Sequence, residues 1–308
     1  MSKAINFIVI GAQKAGTSWL YQRLRELPDF SMPPEKQFHY FDRSTAYKSP
    51  NKLNKSKLIS RIFNLKWFIY SNGRIALTLF DGRFRDALWY FKFFYGTYND
   101  AWYLSMFKNY KGITGEVTPD YSVLTTEDIA HMYKVAPDAK IIFILRNPID
   151  RAWSHYRYDT RKIPNFNIDQ VTAEEMLKFI DSPLQEKRSD YLGTIERYTQ
   201  FYPKDQILLC FFDGIKDQPF TFLEEISEFV GGDKSLVREH CKVEQRVNVS
   251  KKFSRPEHVT NTLYKKYTPI INELAAKYGQ YANKWKAKLT KSAEPIDKDQ
   301  RYSASVKL

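Results

Sequence analysis

The chain has 308 residues, of which 43% are hydrophobic and 27% are charged, and its formal net charge is +13 at pH 7. This balance is ordinary for a folded globular protein, and it excludes a disordered chain, a collagen-like repeat and a small disulfide-stabilised scaffold. The basic surplus favours an anionic partner, such as a nucleotide, an acidic saccharide, a nucleic acid or a membrane surface, without choosing among them.

Neither the cysteines nor the apolar segments indicate an oxidising compartment or a membrane span. The chain has two cysteines, Cys210 and Cys241, and five histidines without metal-ligand spacing. The N-terminal apolar stretch is too short and polar for a signal peptide, and the most apolar region, 62–80, contains Lys66 and Arg74. We therefore expect a cytoplasmic protein with reduced thiols, no transmembrane segment and no bound metal.

The first predicted elements are a strand over INFIVIG, a turn and a helix, with the motif GAQKAGTS between strand and helix. Backbone N–H groups at such a turn, together with the helix N-terminus, bind anions. Gly11 and Gly16 have the spacing of a Walker loop, but Thr17 stands where that loop needs lysine, and the charge lies at Lys14. We predict a phosphate-binding loop unsuited to Mg-ATP hydrolysis, with Thr17 or Ser18 capping the helix.

The region from about residue 44 to 110 is rich in lysine, arginine and aromatic residues at helical spacing, which predicts a helical insertion. The segment GITGEVTPDYS follows, in which Pro119 prevents a continuous helix. An amphipathic helix is predicted next, over TEDIAHMYKVAP.

The second strong strand is AKIIFILRN, which is continuously apolar, as expected for a strand buried on both faces of a parallel sheet. Arg146 stands at its carboxyl end, where ligands bind in open α/β sheets, and Ser154 lies eight residues later in the next predicted helix. A guanidinium with a hydroxyl suits a terminal phosphate bound without metal, whereas an ATPase would place a Walker-type aspartate at such a strand end. The alternative for Arg146 is a solvated charge.

Later elements complete an α/β pattern. A third buried strand is predicted over DQILLCFFDG, then a helix over PFTFLEEISEFVG, and finally a helix with a polar tail. This alternation predicts a mainly parallel sheet flanked by helices, in a single domain over residues 1–308.

The two phosphate motifs together resemble those of a known family. GAQKAGTSWL resembles the 5′-phosphosulfate loop of sulfotransferases that use 3′-phosphoadenosine 5′-phosphosulfate. LRNPIDRAWSHY resembles the 3′-phosphate motif of the same family. EKQFHYFD and GEVTPDYS resemble stretches of the heparan-sulfate-type and bacterial branch. The resemblance implies the P-loop, nucleotide-kinase-like sulfotransferase fold and metal-free transfer of a sulfuryl group to a hydroxyl or amine, with adenosine 3′,5′-bisphosphate as product.

The resemblance also implies residues that bind the donor. Arg146 and Ser154 would bind the 3′-phosphate, and Tyr191 matches a tyrosine near the nucleotide, although a packed aromatic is an equal alternative. Lys251 and Lys252 lie in a segment that resembles a third nucleotide loop, where family members carry glycine at the second position. The 5′-phosphosulfate would be held by Lys14, Ala15, Gly16, Thr17 and Ser18, with Lys14 neutralising charge on the leaving phosphate.

The acceptor must lose a proton as it attacks sulfur, and a carboxylate or an imidazole can take that proton. Glu116 in GEVTPDYS matches the glutamate that serves as base in the heparan-type branch, and His39 in EKQFHYF is the rival candidate. Lys36, close to His39, is a candidate contact for the sulfate or an acidic acceptor. The insertion leads into Glu116, so we expect it to face the acceptor, a saccharide or other small molecule or lipid.

Two alternatives remain open at this point. A P-loop kinase or NTPase would bind ATP with Mg²⁺, but the missing loop lysine and Arg146 argue against it. A non-enzymatic module that binds an anionic polymer is suggested by the net charge and by an aromatic content of 16%. Most aromatic residues fall in apolar runs or at helical spacing, which is typical of a core, so we expect no nucleic-acid partner.

Overall fold

The computed structural model describes residues 5–44, 46–47, 58–161, 163–245, 247, 254–289 and 302–308, and these form an α/β fold around a five-stranded sheet. The strands lie in the order β2-β1-β3-β4-β5, with β1 to β4 parallel and β5 antiparallel to β4. The predicted mainly parallel sheet is thus confirmed. The strands are β1 Phe7–Gly11, β2 Gly115–Val117, β3 Lys140–Leu145, β4 Ile207–Phe211 and β5 Ser305–Lys307.

Helices flank the sheet and make up much of the remaining described chain. Short 3₁₀ helices cover Pro119–Val123, Ile168–Gln170 and Lys204–Gln206. The α-helices are α1 Thr17–Leu24, α2 Leu58–Ile62, α3 Leu65–Phe80, α4 Phe84–Tyr95, α5 Asp100–Ser105, α6 Thr126–Val135, α7 Pro148–Thr160, α8 Ala173–Ile180, α9 Pro183–Ser189, α10 Tyr191–Thr199, α11 Phe212–Asp217, α12 Pro219–Phe229, α13 Leu236–His240, α14 Glu257–Tyr278 and α15 Gln280–Ala287.

The central strands are apolar because both their faces are covered. Every residue of β1 and β4 is buried, and in β3 all but the first residue are buried. Parallel pairing of β1 with β3 brings Gly11 beside Phe143, so the carboxyl ends of these strands are neighbours. The phosphate loop leaves from one of them and Arg146 follows the other, so the topology brings both motifs to one edge of the sheet.

Two local expectations from the sequence are wrong. The predicted polar tail ends in a strand over residues 305–307, which pairs antiparallel with β4 and covers its outer edge. Helix α1 is capped by Gly16, at φ +84°, and neither Thr17 nor Ser18 caps it. Their hydroxyls accept hydrogen bonds from Lys36 instead, because that lysine reaches the first turn from the following loop.

Helices α2 to α5 fall within the predicted insertion, and α3 differs in burial from α4 and α5. Helix α3 leaves most of its apolar residues exposed, whereas α4 and α5 contribute large aromatic side chains to the same hydrophobic core as the sheet. Among the helices of the described residues, none combines the length and the apolar character needed to cross a bilayer. The aromatic residues that enter the core are Trp89, Tyr90, Phe93, Phe94, Trp102 and Tyr103.

Candidate active site

The loop between β1 and α1 contains two residues with left-handed backbone, Lys14 at φ +70° and Gly16 at φ +84°. A Cβ at Gly16 would lie 2.5 Å from Cδ1 of Ile215, so both the conformation and the available space require glycine there. A lysine in this conformation is uncommon, and such backbone is often found at functional sites. The loop leads directly into the N-terminus of α1, whose free N–H groups attract anions.

Arg146 joins the two phosphate motifs, although they are far apart in sequence. Its Nη1 donates a hydrogen bond of 2.7 Å to the carbonyl of Lys14, 132 residues away. Its own carbonyl accepts a hydrogen bond of 2.8 Å from the hydroxyl of Tyr191, and the ring of Phe212 lies 4.5 Å from its guanidinium carbon. Within the described residues, its buried Nε has no hydrogen-bond partner. A buried cationic N–H group without a hydrogen-bond partner is suited to bind an anionic ligand.

The other residues expected to bind the donor differ in how directly the structure describes them. Ser154 is half-buried on α7, the helix that follows the strand end carrying Arg146. Tyr191 is fully buried and packs edge-on against Phe143, with ring centroids 5.7 Å apart. Lys251 and Lys252 lie outside the described residues, so their role stays a prediction.

Lys36 reaches the phosphate loop from the segment after α1. Its Nζ donates hydrogen bonds of 3.0 Å to Oγ1 of Thr17 and 2.9 Å to Oγ of Ser18. Burial lowers the pKa of Lys36 to about 7, against the opposing influence of the Asp120 carboxylate. The ammonium is therefore partly desolvated and readily gains from a neighbouring anion.

Lys14 projects from the same loop and is also desolvated. Its Nζ lies 4.1 Å above the ring of Tyr158, within the range of a cation–π interaction. Burial, followed by the nearby charge of Arg146, lowers the pKa of Lys14 to about 8. Lys14, Lys36 and Arg146 thus concentrate positive charge at one end of the sheet, where a polyanionic ligand would relieve their mutual repulsion.

Glu116 lies in β2, pairs with Ile8 of β1 and is only 1% exposed. The hydroxyl of Tyr103 donates to its Oε1 at 2.5 Å, and those of Thr118 and Tyr121 donate to Oε2 at 2.7 and 3.3 Å. Burial raises the pKa of Glu116 to about 7, although the hydrogen bonds from Tyr103 and Thr118 lower it. A carboxyl group that titrates near neutrality is suited to act as a general base.

His39 has left-handed backbone at φ +53° and is held through its ring nitrogens. Its Nδ1 lies 2.7 Å from Oδ2 of Asp42, and its Nε2 lies 3.1 Å from Oε1 of Gln37. Burial lowers the pKa of His39, but the hydrogen bond and charge of Asp42 outweigh burial, so the pKa is raised. Both ring nitrogens face oxygen acceptors, and this arrangement favours N–H donors at both positions, which argues against His39 as the base.

His39, Asp42 and Asp120 form a buried cluster whose donor atoms lie within 4.8 Å of one another, a spacing that could hold a metal ion. Their charges are already compensated, because Asp120 accepts a hydrogen bond of 2.8 Å from Arg188 and Asp42 pairs with His39. We interpret the cluster as an ion-pair network, and the expectation that no metal is bound stays a prediction.

Sequence reasoning missed several residues that shape this site. Asp120 lies directly after Pro119 in GEVTPDYS, a segment that the sequence analysis selected for Glu116. Its position in that segment was the signal that could have identified it. Arg188 lies 68 residues away from Asp120, and no local pattern connects them. Nothing in the sequence distinguishes Tyr103 and Tyr158 from the many other aromatic residues. Hydrogen bonds join six of the sequence-predicted residues in two groups: Lys36 with Thr17 and Ser18, and Arg146 with Lys14 and Tyr191.

Comparison with known proteins identifies the family of this chain. The model of a family described as "Sulfotransferase family" matches residues 6–234. The chain belongs to the sulfotransferase family. The match includes both phosphate motifs, Glu116 and Tyr191, and it confirms the resemblance found in the sequence. Members of this family are sulfuryl-transferring enzymes, so the kinase and the polymer-binding module are not favoured.

Curated relatives and a solved structure agree with this assignment. This sulfotransferase is 26% identical over 144 residues to human heparan sulfate glucosamine 3-O-sulfotransferase 6, a match that covers 46% of this chain and 42% of the relative. It is 27% identical over 145 residues to mouse heparan sulfate glucosamine 3-O-sulfotransferase 3B1, covering 46% and 37%. The matched part spans less than half the length of these relatives.

The fold of this sulfotransferase is shared with a bacterial enzyme. The crystal structure of a sulfotransferase from Alicyclobacillus acidocaldarius superposes with a TM-score of 0.59 at 22% identity, covering 91% of this chain and 98% of the other. This similarity confirms the predicted sulfotransferase fold.

Proposed function

We propose that this chain transfers a sulfuryl group from 3′-phosphoadenosine 5′-phosphosulfate to a hydroxyl or amine of a saccharide. The observation that carries the proposal is the hydrogen bond from Arg146 to the Lys14 carbonyl, which connects the two phosphate motifs at one edge of the sheet. Family membership supports sulfuryl transfer. The names of the curated relatives specify a glucosamine of heparan sulfate, which supports a saccharide acceptor.

The residues of the site fit a nucleotide with phosphate groups at both its 5′ and 3′ positions. A side chain at Gly16 would collide with Ile215 and Phe212, so glycine allows the left-handed turn of the loop. Within the part of the chain that the structure describes, the buried Nε of Arg146 has no hydrogen-bond partner and is a donor for the ligand. We assign Arg146 and Ser154 to the 3′-phosphate, and Tyr191 to positioning Arg146 through its carbonyl. The 5′-phosphosulfate is assigned to the loop Lys14, Ala15, Gly16, Thr17 and Ser18.

When bound, the donor supplies the sulfuryl group. Lys14 places positive charge beside the phosphate loop, where negative charge develops on the leaving group. Lys36 fixes the hydroxyls of Thr17 and Ser18 and adds a second positive charge. These interactions stabilise charge without covalent catalysis, as in phosphoryl transfer.

Glu116 is assigned as the base that removes the acceptor proton. Donors on both carboxylate oxygens fix its orientation, and Oε1, which accepts one hydrogen bond from Tyr103, keeps a further lone pair for the proton. Tyr103 belongs to α5, so the end of the insertion contacts the proposed base directly. We therefore propose that residues 44–110 form the acceptor side of a single domain.

Calorimetric titration with adenosine 3′,5′-bisphosphate, compared with ATP and Mg²⁺, tests the donor assignment. We expect binding of the bisphosphate to be tighter than that of ATP by at least about tenfold, because a 3′-phosphate adds charge-assisted hydrogen bonds. Sulfation of a heparan-type oligosaccharide by the full chain, followed by mass spectrometry, then tests the acceptor class. Preference for ATP would contradict the proposed donor.

Binding of adenosine 3′,5′-bisphosphate is expected to take up protons between about pH 7 and 9. Without a bound nucleotide, Lys36 and Lys14 have pKa values of about 7 and 8. At a pH above its pKa, each side chain has mostly lost its proton. A bound polyanion raises both pKa values, and the lysines regain protons from solution. Calorimetry in buffers of different ionisation enthalpy measures this uptake, which Lys36→Met should reduce. Equal uptake in Lys36→Met and in the exposed control Lys234→Met would contradict the coupling.

A further inference from the structure

Helix α3 presents its apolar side to solvent. Leu65, Ile69 and Phe80 follow helical spacing and are 69%, 62% and 92% exposed, whereas Ser71 and Thr78 are buried. A helix on the surface of a soluble protein normally has the opposite arrangement, with the apolar stripe facing the core. The two buried hydroxyls donate to backbone carbonyls of their own helix.

The neighbouring helices extend this apolar surface. On α4, Phe84, Leu88 and Phe91 recur at helical spacing and are 65%, 72% and 57% exposed. The outward sides of α3 and α4 meet at Tyr95, whose hydroxyl donates to Asn72 at 3.1 Å and whose ring stacks on Phe91. We define the outer face as the exposed apolar residues Ile59, Phe63, Leu65, Phe68, Ile69, Leu79, Phe80, Phe84, Leu88 and Phe91.

Positive charge borders the outer face. Residues 58–96 contain six lysine and arginine residues and two aspartates. Arg61 is buried, and Arg83 forms ion pairs with both aspartates, Asp81 and Asp86. The exposed cations Lys66, Arg85 and Lys92 supply the positive border. The distribution favours an anionic surface as the occupant. A second copy of this chain would instead bring another +13 of charge, which opposes association through this face.

We propose that the outer face of α2 to α4 docks on an anionic lipid bilayer. The helices would lie in the plane of the interface, with Phe63, Phe80 and Phe84 entering the boundary between headgroups and acyl chains. The neighbouring lysines and arginines would contact lipid phosphates, whose attraction adds to that of apolar burial. Such a large exposed apolar surface marks an interaction site rather than an ordinary protein surface. Docking does not depend on the proposed sulfuryl transfer.

Co-sedimentation of the full chain with vesicles tests the proposal. We expect binding to phosphatidylcholine–phosphatidylglycerol vesicles to exceed binding to pure phosphatidylcholine vesicles by on the order of tenfold, because several cations lie near the surface. Added salt should weaken the binding, since it screens these charges. Absence of binding to the anionic vesicles would overturn the proposal.

Substitutions at the turn between α3 and α4 locate the contact. We expect the double variant Phe80→Ser and Phe84→Ser to lose on the order of tenfold or more in vesicle affinity, because two exposed aromatic side chains no longer insert. The control is Leu177→Ser on α8, another exposed apolar residue outside the outer face, which should bind like the parent chain. Both variants should keep the circular dichroism spectrum of the parent.

Two results with these variants would overturn the proposal. Unchanged vesicle binding by the double variant would show that another surface contacts the lipid. A second copy would be shown to cover the outer face if the parent chain sediments as a dimer and the double variant sediments as a monomer.

Discussion

Replacement of Glu116 by glutamine is expected to lower kcat by a factor of about 10²–10⁴, the range typical of a lost general base. Glutamine has nearly the same shape but cannot take a proton at neutral pH. The affinity for adenosine 3′,5′-bisphosphate should change little, because the contacts of Glu116 are with Tyr103, Thr118 and Tyr121 and not with the phosphate loop. Steady-state kinetics and calorimetry on the same preparation separate the two effects.

The pH dependence provides a second measure of the same assignment. A base must be deprotonated to act, and the pKa of Glu116 is about 7, so kcat/KM should rise with pH around neutrality. The variant Tyr103→Phe removes a hydrogen bond that lowers this pKa, so the rising limb should move to higher pH. An unchanged limb, or near-normal turnover in Glu116→Gln, would contradict the assignment and make His39 the next candidate.

Replacement of Arg146 by alanine is expected to weaken binding of adenosine 3′,5′-bisphosphate by on the order of 10²-fold, since hydrogen bonds to charged groups contribute about 1.5–3 kcal/mol. The loss should be larger for the bisphosphate than for adenosine 5′-phosphate, which lacks the 3′-phosphate. Calorimetry with both nucleotides measures this difference in selectivity.

Two variants make the Arg146 experiment specific. Arg238→Ala removes an exposed arginine paired with Glu224 and should leave both affinities unchanged. Arg146→Lys retains the charge but loses the planar guanidinium, so it should restore only part of the affinity. Equal weakening of both nucleotides by Arg146→Ala would mean that Arg146 serves only to support the Lys14 carbonyl.

The sequence predicts the central sheet and the phosphate motifs well because each has a local cause. Strands β1, β3 and β4 are covered on both faces, which demands continuous apolar runs that are visible in the sequence. Gly16 is required by a left-handed turn with no space for a side chain, and this requirement also appears as a motif. The edge strand β5 has no comparable signal, since its pairing depends on the edge that β4 offers.

The arrangement of the candidate site depends on contacts between distant segments, and these have no local signature. The sequence placed Lys36 near an acidic acceptor or the sulfate, but its hydrogen bonds to Thr17 and Ser18 follow from the path of the loop after α1. The ion pair of Asp120 with Arg188 likewise depends on how α9 packs. Charge and residue type thus indicated candidates, whereas their partners required the folded chain.

The aromatic core around Phe38 limits how the acceptor side of this protein can be redesigned. Phe38 lies beside the candidate site residue His39, and its ring packs against Trp89 and Phe93 of α4 and Tyr103 of α5. Deletion or replacement of residues 44–110 as a block would remove the aromatic partners of Phe38 and expose the hydrophobic core to solvent. Altered acceptor choice must therefore be sought through individual surface substitutions, and chimaeras joined at the ends of this region should fail to fold.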